Sequence, residues 1–239
     1  MISVIIPTLN EAESLPATLC RVHANSSGHE VLVVDGGSAD ETVNLAKAAG
    51  ARVVNSPQPQ RAAQMNLGAQ HAGGDAFLFL HADTWVNPGA LEQIESALRN
   101  PAVAGGAFTR RFRSESAVLR LTCLLGEFRG LWLGWFLGDQ GIFVRRSAFE
   151  QLGGFRDLDL FEDLDFSRRL GRIGKVVTLR PSVVSSARRF ARRGPFVTSA
   201  SDFWLTVRYL LGADANRLGV EGTSRIFRAK NTTSSTETE

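Results

Sequence analysis

Phe77-Leu78-Phe79-Leu80-His81-Ala82-Asp83 is the stretch from which the fold of this chain can be read. The apolar run 77–80 follows Gly73-Gly74-Asp75 and suits a short strand buried on both faces. It stops abruptly at His81-Ala82-Asp83-Thr84, a group able to hold a hard divalent cation. In open α/β sheets, ligands bind beyond the carboxyl ends of the strands. A carboxylate just past this strand therefore stands where chemistry is expected. Taken alone, Asp83 fits a turn cap equally well, and the flanking segments shift the balance.

Upstream, residues 3–6 read as a buried strand stopped by Pro7, and residues 14–24 have helical spacing through Leu15, Leu19 and Val22. Residues 30–34 form a second expected strand, ending at Asp35-Gly36-Gly37-Ser38. Ser38 with Glu41 matches a capping box, which predicts a helix to about Ala49. Residues 52–55 read as a third strand and 61–72 as a helix. Downstream, Asn87-Pro88 supplies an N-cap and a proline at the first helical position, for a helix to about Arg99. Strands and helices thus alternate over the first hundred residues or so, which predicts an α/β fold with βαβ units and a mostly parallel sheet. The sequence has neither a Walker P-loop nor Gly-x-Gly-x-x-Gly, which disfavours an ATPase-type or NAD-type site.

The second half is less regular. Residues 104–112 suit a strand, 142–144 another, and 147–152 a short helix. Residues 162–170 read as a helix with acidic residues in its first turn, as the helix dipole prefers. A late strand spans 176–184, interrupted by Pro181, and an amphipathic helix spans 196–211. Residues 118–137 are strongly apolar but carry Arg120, Glu127, Arg129 and three glycines. A charge at mid-bilayer costs about 2.5–3.5 kcal/mol even on a lenient scale, so a membrane span is rejected. An internal helix pair lining an acceptor cleft is the preferred reading, with an interfacial helix touching membrane as the alternative. Trp132, Trp135 and Phe136 could then stack on a sugar or cover a lipid-like chain.

The 239 residues are 44% hydrophobic and 21% charged, ordinary for one well-buried domain with additions. A net charge of +3 gives no ground for expecting nucleic acid as a partner. Arginines cluster at 110, 111 and 113 and at 188, 189, 192 and 193, suiting phosphates, an anionic membrane surface or a solvated face. Cys20 and Cys123 show no metal-ligand spacing and argue against a disulfide scaffold. The strand pattern begins at once, with no signal-peptide pattern, so a cytoplasmic location is expected. From Thr223 the chain is rich in Ser, Thr and Glu, and the tail 223–239 is expected to be disordered.

Thr8-Leu9-Asn10-Glu11, Asp35-Gly36-Gly37-Ser38 and His81-Ala82-Asp83 each follow an expected strand, and parallel strands would bring them to one sheet edge. Asp35 can accept from a nucleobase ring N–H, and the glycines beside it allow close backbone approach. Arg61 can contact a base or a diphosphate, and Asp83 can hold a cation that bridges the diphosphate.

The ordered set Ser-Val-Ile-Ile-Pro-Thr-Leu-Asn-Glu (3–11), Val-Val-Asp-Gly-Gly-Ser (33–38), Arg61 with Asn66, His-Ala-Asp (81–83) and Phe-Glu-Asp (161–163) resembles family 2 glycosyltransferases of the GT-A fold. The resemblance covers roughly the first 190 residues. It implies a Rossmann-like, mostly parallel sheet flanked by helices, with a helical extension on the acceptor side. One domain would span 1–222, with a nucleotide-sugar half at 1–100 and an acceptor-side half at 101–222. Pro7, Thr8 and Glu11 would line the nucleotide pocket, Asp35 would pair with the base, and Arg61 would lie beside it. Asp83 matches the last aspartate of the family's Asp-x-Asp motif and would bind Mn²⁺ or Mg²⁺. Asp163 matches the catalytic base, with Asp139, Gln140, Glu162 and Trp135 on the acceptor side. Arg188 and Arg189, before Phe190, resemble more weakly an Arg-Trp element near the diphosphate.

Two positions depart from the pattern. His81 replaces the first aspartate of Asp-x-Asp; as a ligand, it would favour softer ions such as Mn²⁺. Gly36 replaces a second aspartate, removing one sugar or ribose contact. Leu80-His-Ala-Asp-Thr84 together with Gly138-Asp-Gln-Gly141 is similar to a small bacterial branch associated with arsenosugar or carotenoid glycosylation. The chemistry implied is a single inverting displacement from a nucleotide sugar, a UDP-sugar favoured, onto a hydroxyl of a small-molecule or lipid-like acceptor. Retention would need a further nucleophile, for which the sequence offers no candidate. A sugar nucleotidyltransferase or a binding module without turnover are the competing readings. Peripheral contact with the inner face of the cell membrane is a further expectation.

Overall fold

The computed structural model describes residues 1–25, 28–191 and 193–219. Arg192 and the tail expected to be disordered from 223 lie outside the described residues. The first half alternates as the sequence predicts. The strands are Ile2–Thr8 (β1), His29–Asp35 (β2), Arg52–Asn55 (β3) and Ala76–Phe79 (β4). They alternate with helices Leu15–His23 (α1), Thr42–Ala48 (α2) and Arg61–His71 (α3). A two-residue strand, Thr84–Trp85 (β5), precedes helix Ala90–Leu98 (α4).

The second half contains strands Val103–Phe112 (β6), Ile142–Arg145 (β7) and Lys175–Ser185 (β8). Its helices are Ala117–Leu133 (α5), Arg146–Leu152 (α6), Glu162–Ile173 (α7), Arg188–Ala191 (α8) and Pro195–Leu210 (α9), with a single 3₁₀ turn at Gly138–Gln140. Among the described residues the sheet runs β3-β2-β1-β4-β7-β6-β8-β5. Strands β1 to β4 pair in parallel. The β4–β7, β6–β7 and β5–β8 pairs are antiparallel, while β6–β8 is parallel. The sheet is therefore parallel on the side of the first half and mixed beyond β4.

Strand β4 is buried on both faces, as its sequence requires. Phe77 and Phe79 enter one core with Met65, Ala69 and Phe166, while Leu78 and Leu80 enter the other with Leu15, Leu19 and Ile94. Burying each such side chain stabilises the fold by about 1.5–3 kcal/mol. Strand β1 continues through Pro7 because β4 pairs with it only as far as Ile5↔Phe79. The donor that proline lacks then faces no strand.

Three local expectations are corrected. Ser38 does not cap α2: its hydroxyl is engaged by Asp35, and the cap residue is Glu41. Asn87 does not cap α4 either; Asn87 Nδ2 donates to the Ser182 carbonyl 2.5 Å away, and the cap is Gly89 at φ 80°. The apolar stretch 118–137 is not an internal helix pair. It contains a single helix, α5, ended by Gly134 in the left-handed region. Leu124, Phe128 and Trp132 on it are more than half exposed, because its buried side is formed by Leu119, Gly126 and Gly130. No helix among the described residues is long and apolar enough to cross a membrane.

Candidate active site

The carboxyl ends of β1 and β2 lie side by side, with Thr8 paired to Asp35. Asp35, 3% exposed, receives hydrogen bonds on both oxygens. Oδ1 accepts from Thr8 Oγ1 (3.1 Å) and Ser38 Oγ (2.5 Å), and Oδ2 accepts from the Gly37 and Ser38 N–H groups (2.9 and 2.8 Å). The turn after β2 is thus wrapped round the carboxylate, with Gly37 at φ 93° permitting it. Asn10 ties the β1 loop to this turn: its N–H donates to Ser38 Oγ and its Oδ1 accepts from Ala39 N–H. Gln64, on α3, donates to both the Thr8 and Val34 carbonyls at 2.8 Å and clamps the two strand ends. A side chain at Gly36 would come within 2.9 Å of Pro59 Cα. Glycine at this position therefore follows from the close approach of the 56–60 loop.

At the end of β4, His81 and Asp83 face different neighbours. Asp83 is covered by Arg188, whose Nε lies 3.4 Å from Oδ2. Arg188 Nη2 also lies 2.7 Å from Glu11 Oε2, so the β1 loop and the β4 end share one guanidinium. Arg113 donates to the Asp83 carbonyl at 3.2 Å. Arg189 pairs instead with Asp202 on α9. His81 turns towards Gly138, and its Nε2 is buried without a hydrogen-bond partner. Burial first, and then the positive charge of Arg61, lower the His81 imidazole to about 3, which leaves it neutral at physiological pH.

The acidic first turn of α7 closes the other side. Its cap, Phe161, has φ 65°, an unusual conformation for a bulky residue. Glu162 is buried and accepts from Arg61 Nη1 at 3.2 Å. Arg61 therefore reaches across to α7. Asp163 Oδ2 accepts the Gly138 N–H (2.5 Å) and Oδ1 the Leu164 N–H (2.6 Å). Burial pushes the Asp163 carboxyl up to about 7, and the neighbouring Glu162 charge adds to this, against the two N–H donors and Arg61. A Cβ added to Gly138 would lie 2.6 Å from His81 Nε2 and 3.2 Å from Asp163 Oδ2, so the three residues crowd one spot.

Arginines hold the 134–141 loop in place. Arg110 pairs with Asp139. Burial acts to raise the Asp139 carboxyl, yet Arg110, helped by Arg129, holds it below the usual carboxylate range. Arg129, on α5, donates to the Trp135 carbonyl (3.0 Å) and to Gln140 Oε1 (2.9 Å). Gln140 is buried and donates on to the Phe108 carbonyl. The Trp135 ring lies under Arg168, 4.9 Å from ring centroid to guanidinium carbon.

Most of the residues singled out in the sequence thus join through contacts. Thr8 contacts Asp35, and Glu11, Arg188 and Asp83 form a second group tied to the first through Asn10 and Ser38; His81, Gly138, Asp163, Glu162 and Arg61 form a third. Pro7 lies in β1 beside Thr8. Gln140 lies inward, Trp135 packs against α7 through Arg168, and Arg189 faces α9. Sequence reasoning missed Gln64, although a polar side chain one turn from Gly68 on the buried stripe of α3 was a usable signal. It read Arg129 only as a bar to membrane insertion, and gave Gly138 no steric role.

The donor set suits a cation shared with a ligand. Among the described residues, no three His, Cys, Asp or Glu side chains cluster to form a protein cage. Asp83 offers one partly exposed carboxylate, and the orphaned Nε2 of His81 is a second candidate ligand. Cations that substrate phosphates help to hold need only one or two protein carboxylates.

Comparison with known proteins agrees with the fold. The sequence pattern of the family described as Glycosyl transferase family 2 matches residues 3–153. A PGL/p-HBAD biosynthesis glycosyltransferase of Mycobacterium bovis is 32% identical over 187 residues, covering 71% of this chain and 69% of that protein. An uncharacterized glycosyltransferase of Mycobacterium tuberculosis is 35% identical over 97 residues, so that match spans 43% of the relative and 41% of this chain. S. aureus TarS 1-349 in complex with UDP-GlcNAc superposes with a TM-score of 0.66 at 16% identity, covering 77% of this chain and 58% of TarS. The mannosyltransferase PcManGT of Pyrobaculum calidifontis, in complex with GDP-Man and Mn²⁺, gives 0.63 at 24% identity, covering 77% and 56%. Glucosyl-3-phosphoglycerate synthase of Mycobacterium tuberculosis, with Mn²⁺, UDP-glucose and phosphoglyceric acid, gives 0.53 at 20%, covering 76% and 72%. The mixed α/β sheet with flanking helices is accordingly the GT-A fold. With that fold, and with the family's pattern matched from β1 through α6, this chain belongs to glycosyl transferase family 2.

Proposed function

We propose that this chain is an inverting glycosyltransferase that moves a sugar from a nucleoside-diphosphate donor, a UDP-sugar by preference, to an acceptor hydroxyl. The observation that carries the reading is Asp163: a carboxyl raised to about 7, held by the Gly138 N–H beside the His81–Asp83 end of β4. A general base works best when its pKa lies near the working pH.

In this reading Asp35 accepts the ring N–H of the base; one of its present donors, the rotatable Ser38 hydroxyl, turns away to admit it. Pro7, Thr8 and Glu11 line the nucleotide pocket. Arg61 and Arg188, with Arg189 behind, face the diphosphate and donate to its oxygens. Asp83, with His81 as a second candidate, would hold Mn²⁺ or Mg²⁺, whose charge opposes that developing on the leaving diphosphate. Asp163 takes the proton of the acceptor hydroxyl. The hydroxyl oxygen bonds to the anomeric carbon from the face opposite the diphosphate, the carbon–oxygen bond to the diphosphate breaks, and the nucleoside diphosphate leaves. Glu162, Asp139, Gln140 and Trp135 shape the acceptor side.

The Mn²⁺ complexes of PcManGT and glucosyl-3-phosphoglycerate synthase support a metal, and the UDP-sugar complexes of TarS and the synthase support the donor class. We read residues 1–222 as one domain, with a nucleotide-sugar half at 1–100 and an acceptor-side half at 101–222, working in the cytoplasm. The test is nucleotide release from a panel of UDP- and GDP-sugars, with and without Mn²⁺, together with the anomeric configuration of the product by NMR. Mn²⁺-dependent UDP release with inversion is expected. Pyrophosphate chemistry would point to a nucleotidyltransferase, and binding without release to a module lacking turnover.

A further inference from the structure

Helices α5 and α9 pack against each other, and both turn apolar side chains outward. On α5 the exposed residues are Leu121, Leu124, Leu125, Phe128, Leu131 and Trp132, with Trp132 at 74% exposure. Their spacing is that of one helix face, and in an ordinary surface helix that face would point into the core. On α9 and just past its end, Phe196, Phe203 and Leu210 recur every seven residues, as do Val197, Trp204 and Leu211. All six are exposed, Leu211 at 83%. Scattered exposed apolar residues are normal, whereas a concentration of this size marks an interaction surface.

The charges along these two segments are mostly positive. Residues 110–135 carry five arginines against two glutamates, and residues 186–217 carry six arginines against two aspartates. Arg111, Arg120 and Arg217 are exposed, and none of the three pairs with a carboxylate among the described residues. Arg120 lies one turn from Leu124 on the outward side of α5. Aromatic and aliphatic side chains on one face, with the exposed Arg120 beside them and a surplus of arginine along both segments, match a helix lying in the headgroup region of an anionic bilayer. A second copy of the chain fits less well, because a two-fold interface sets this patch against itself and brings the arginine rims together.

We propose that the α5–α9 face docks the protein on an anionic phospholipid surface, with both helices lying in the interface and the arginines on lipid phosphates. The inward side of α5 carries Arg129, which holds the loop over Asp163 through Trp135 and Gln140. The membrane-facing side and the side that supports the loop thus belong to the same helix. The docking stands whether or not the transfer reading holds, and its test uses no turnover.

The full chain is sedimented with phosphatidylcholine vesicles containing phosphatidylglycerol and, separately, with pure phosphatidylcholine vesicles. Binding to the first, weakened by added salt, is expected. The combined variant Leu124→Glu, Phe128→Glu and Trp204→Glu should lose about tenfold or more of that binding with an unchanged circular dichroism spectrum. If that variant misfolds, Arg111→Glu with Arg120→Glu tests the rim independently and should also weaken binding. Absence of binding to phosphatidylglycerol vesicles, or equal binding to both kinds, overturns the proposal. A wild-type dimer in analytical ultracentrifugation that the triple variant dissociates, without vesicle binding, assigns the face to a second copy and overturns it too.

Discussion

Arg188 Nε lies 3.4 Å from Asp83 Oδ2, so a guanidinium covers the carboxylate that we propose as a cation ligand. The same arginine holds Glu11, at 2.7 Å from Oε2. In the proposed site a cation and Arg188 would compete for Asp83, and a diphosphate arriving with the cation would give Arg188 a new partner. Arg188→Ala should tighten Mn²⁺ binding to the nucleotide-free chain, read by electron paramagnetic resonance. The same change should weaken donor binding by about tenfold, since a charge-assisted contact is lost. Mn²⁺ affinity that does not move would remove Asp83 from the cation site.

Asp83→Ala should abolish transfer while the circular dichroism spectrum stays as in the wild type, and excess EDTA should have the same effect on the unaltered protein. His81 is neutral, with its pKa lowered to about 3, and its Nε2 has no partner. If it binds the cation, His81→Asp should shift the metal preference from Mn²⁺ towards Mg²⁺. A new carboxylate there would also stand near Asp163 and raise its pKa further. A pH profile moved upwards with no change of metal preference would make His81 a neighbour of the base rather than a ligand.

Asp35 serves two structures at once. It anchors the Gly37 and Ser38 N–H groups, and it is the only carboxylate at the end of β2. Asp35→Ala should weaken UDP binding at least tenfold, about 1.4 kcal/mol, by calorimetry. Asp35→Asn keeps an oxygen for the turn but loses the charge, and should fall between the two. Calorimetric affinity equal to wild type in both variants would take Asp35 out of the pocket.

Gly138 is a steric position. A methyl group there meets His81 Nε2 at 2.6 Å and Asp163 Oδ2 at 3.2 Å. Gly138→Ala should therefore displace Asp163 from its N–H donor and, if Asp163 is the base, lower kcat by at least tenfold with little change in UDP affinity. An equal loss of UDP affinity would mean that the loop also forms part of the donor pocket.

The parts of this fold that are legible in sequence are the alternating strands and helices of the first half. Strand β4 is apolar at every position because helices cover both of its faces, and that pattern has few other readings. Strand β5 has two residues, too few for any period. The Ser38–Glu41 spacing matches a capping box, but Asp35 lies within reach of the Ser38 hydroxyl, and such a local competitor is invisible to a spacing rule. The error on α5 has a different origin. An apolar stretch broken by glycines fits two short helices lining a cleft, whereas α5 runs unbroken through Gly126 and Gly130, buries both and turns its apolar side chains outward. Glu162 and Asp163 were found by position, but their different surroundings, Arg61 for one and the Gly138 N–H for the other, exist only after folding.

That difference gives the sharpest test of the base. Consecutive helical residues point about 100° apart, so Glu162 and Asp163 face different partners. Glu162 is paired with Arg61 and buried; Asp163 is the carboxyl raised to about 7. A base must be ionised to accept a proton, so kcat/KM should rise with pH through about 7 and level off above it. Glu162→Gln removes the adjacent negative charge and leaves Arg61 nearer to an unopposed positive charge. Both changes favour the ionised form of Asp163, so the rise should move to lower pH. Asp163→Asn should lower the rate by about 10²–10⁴-fold and change donor affinity little. If Asp163→Asn turned over normally and Glu162→Gln did not, the base would be Glu162, and the raised carboxyl of Asp163 would reflect burial alone.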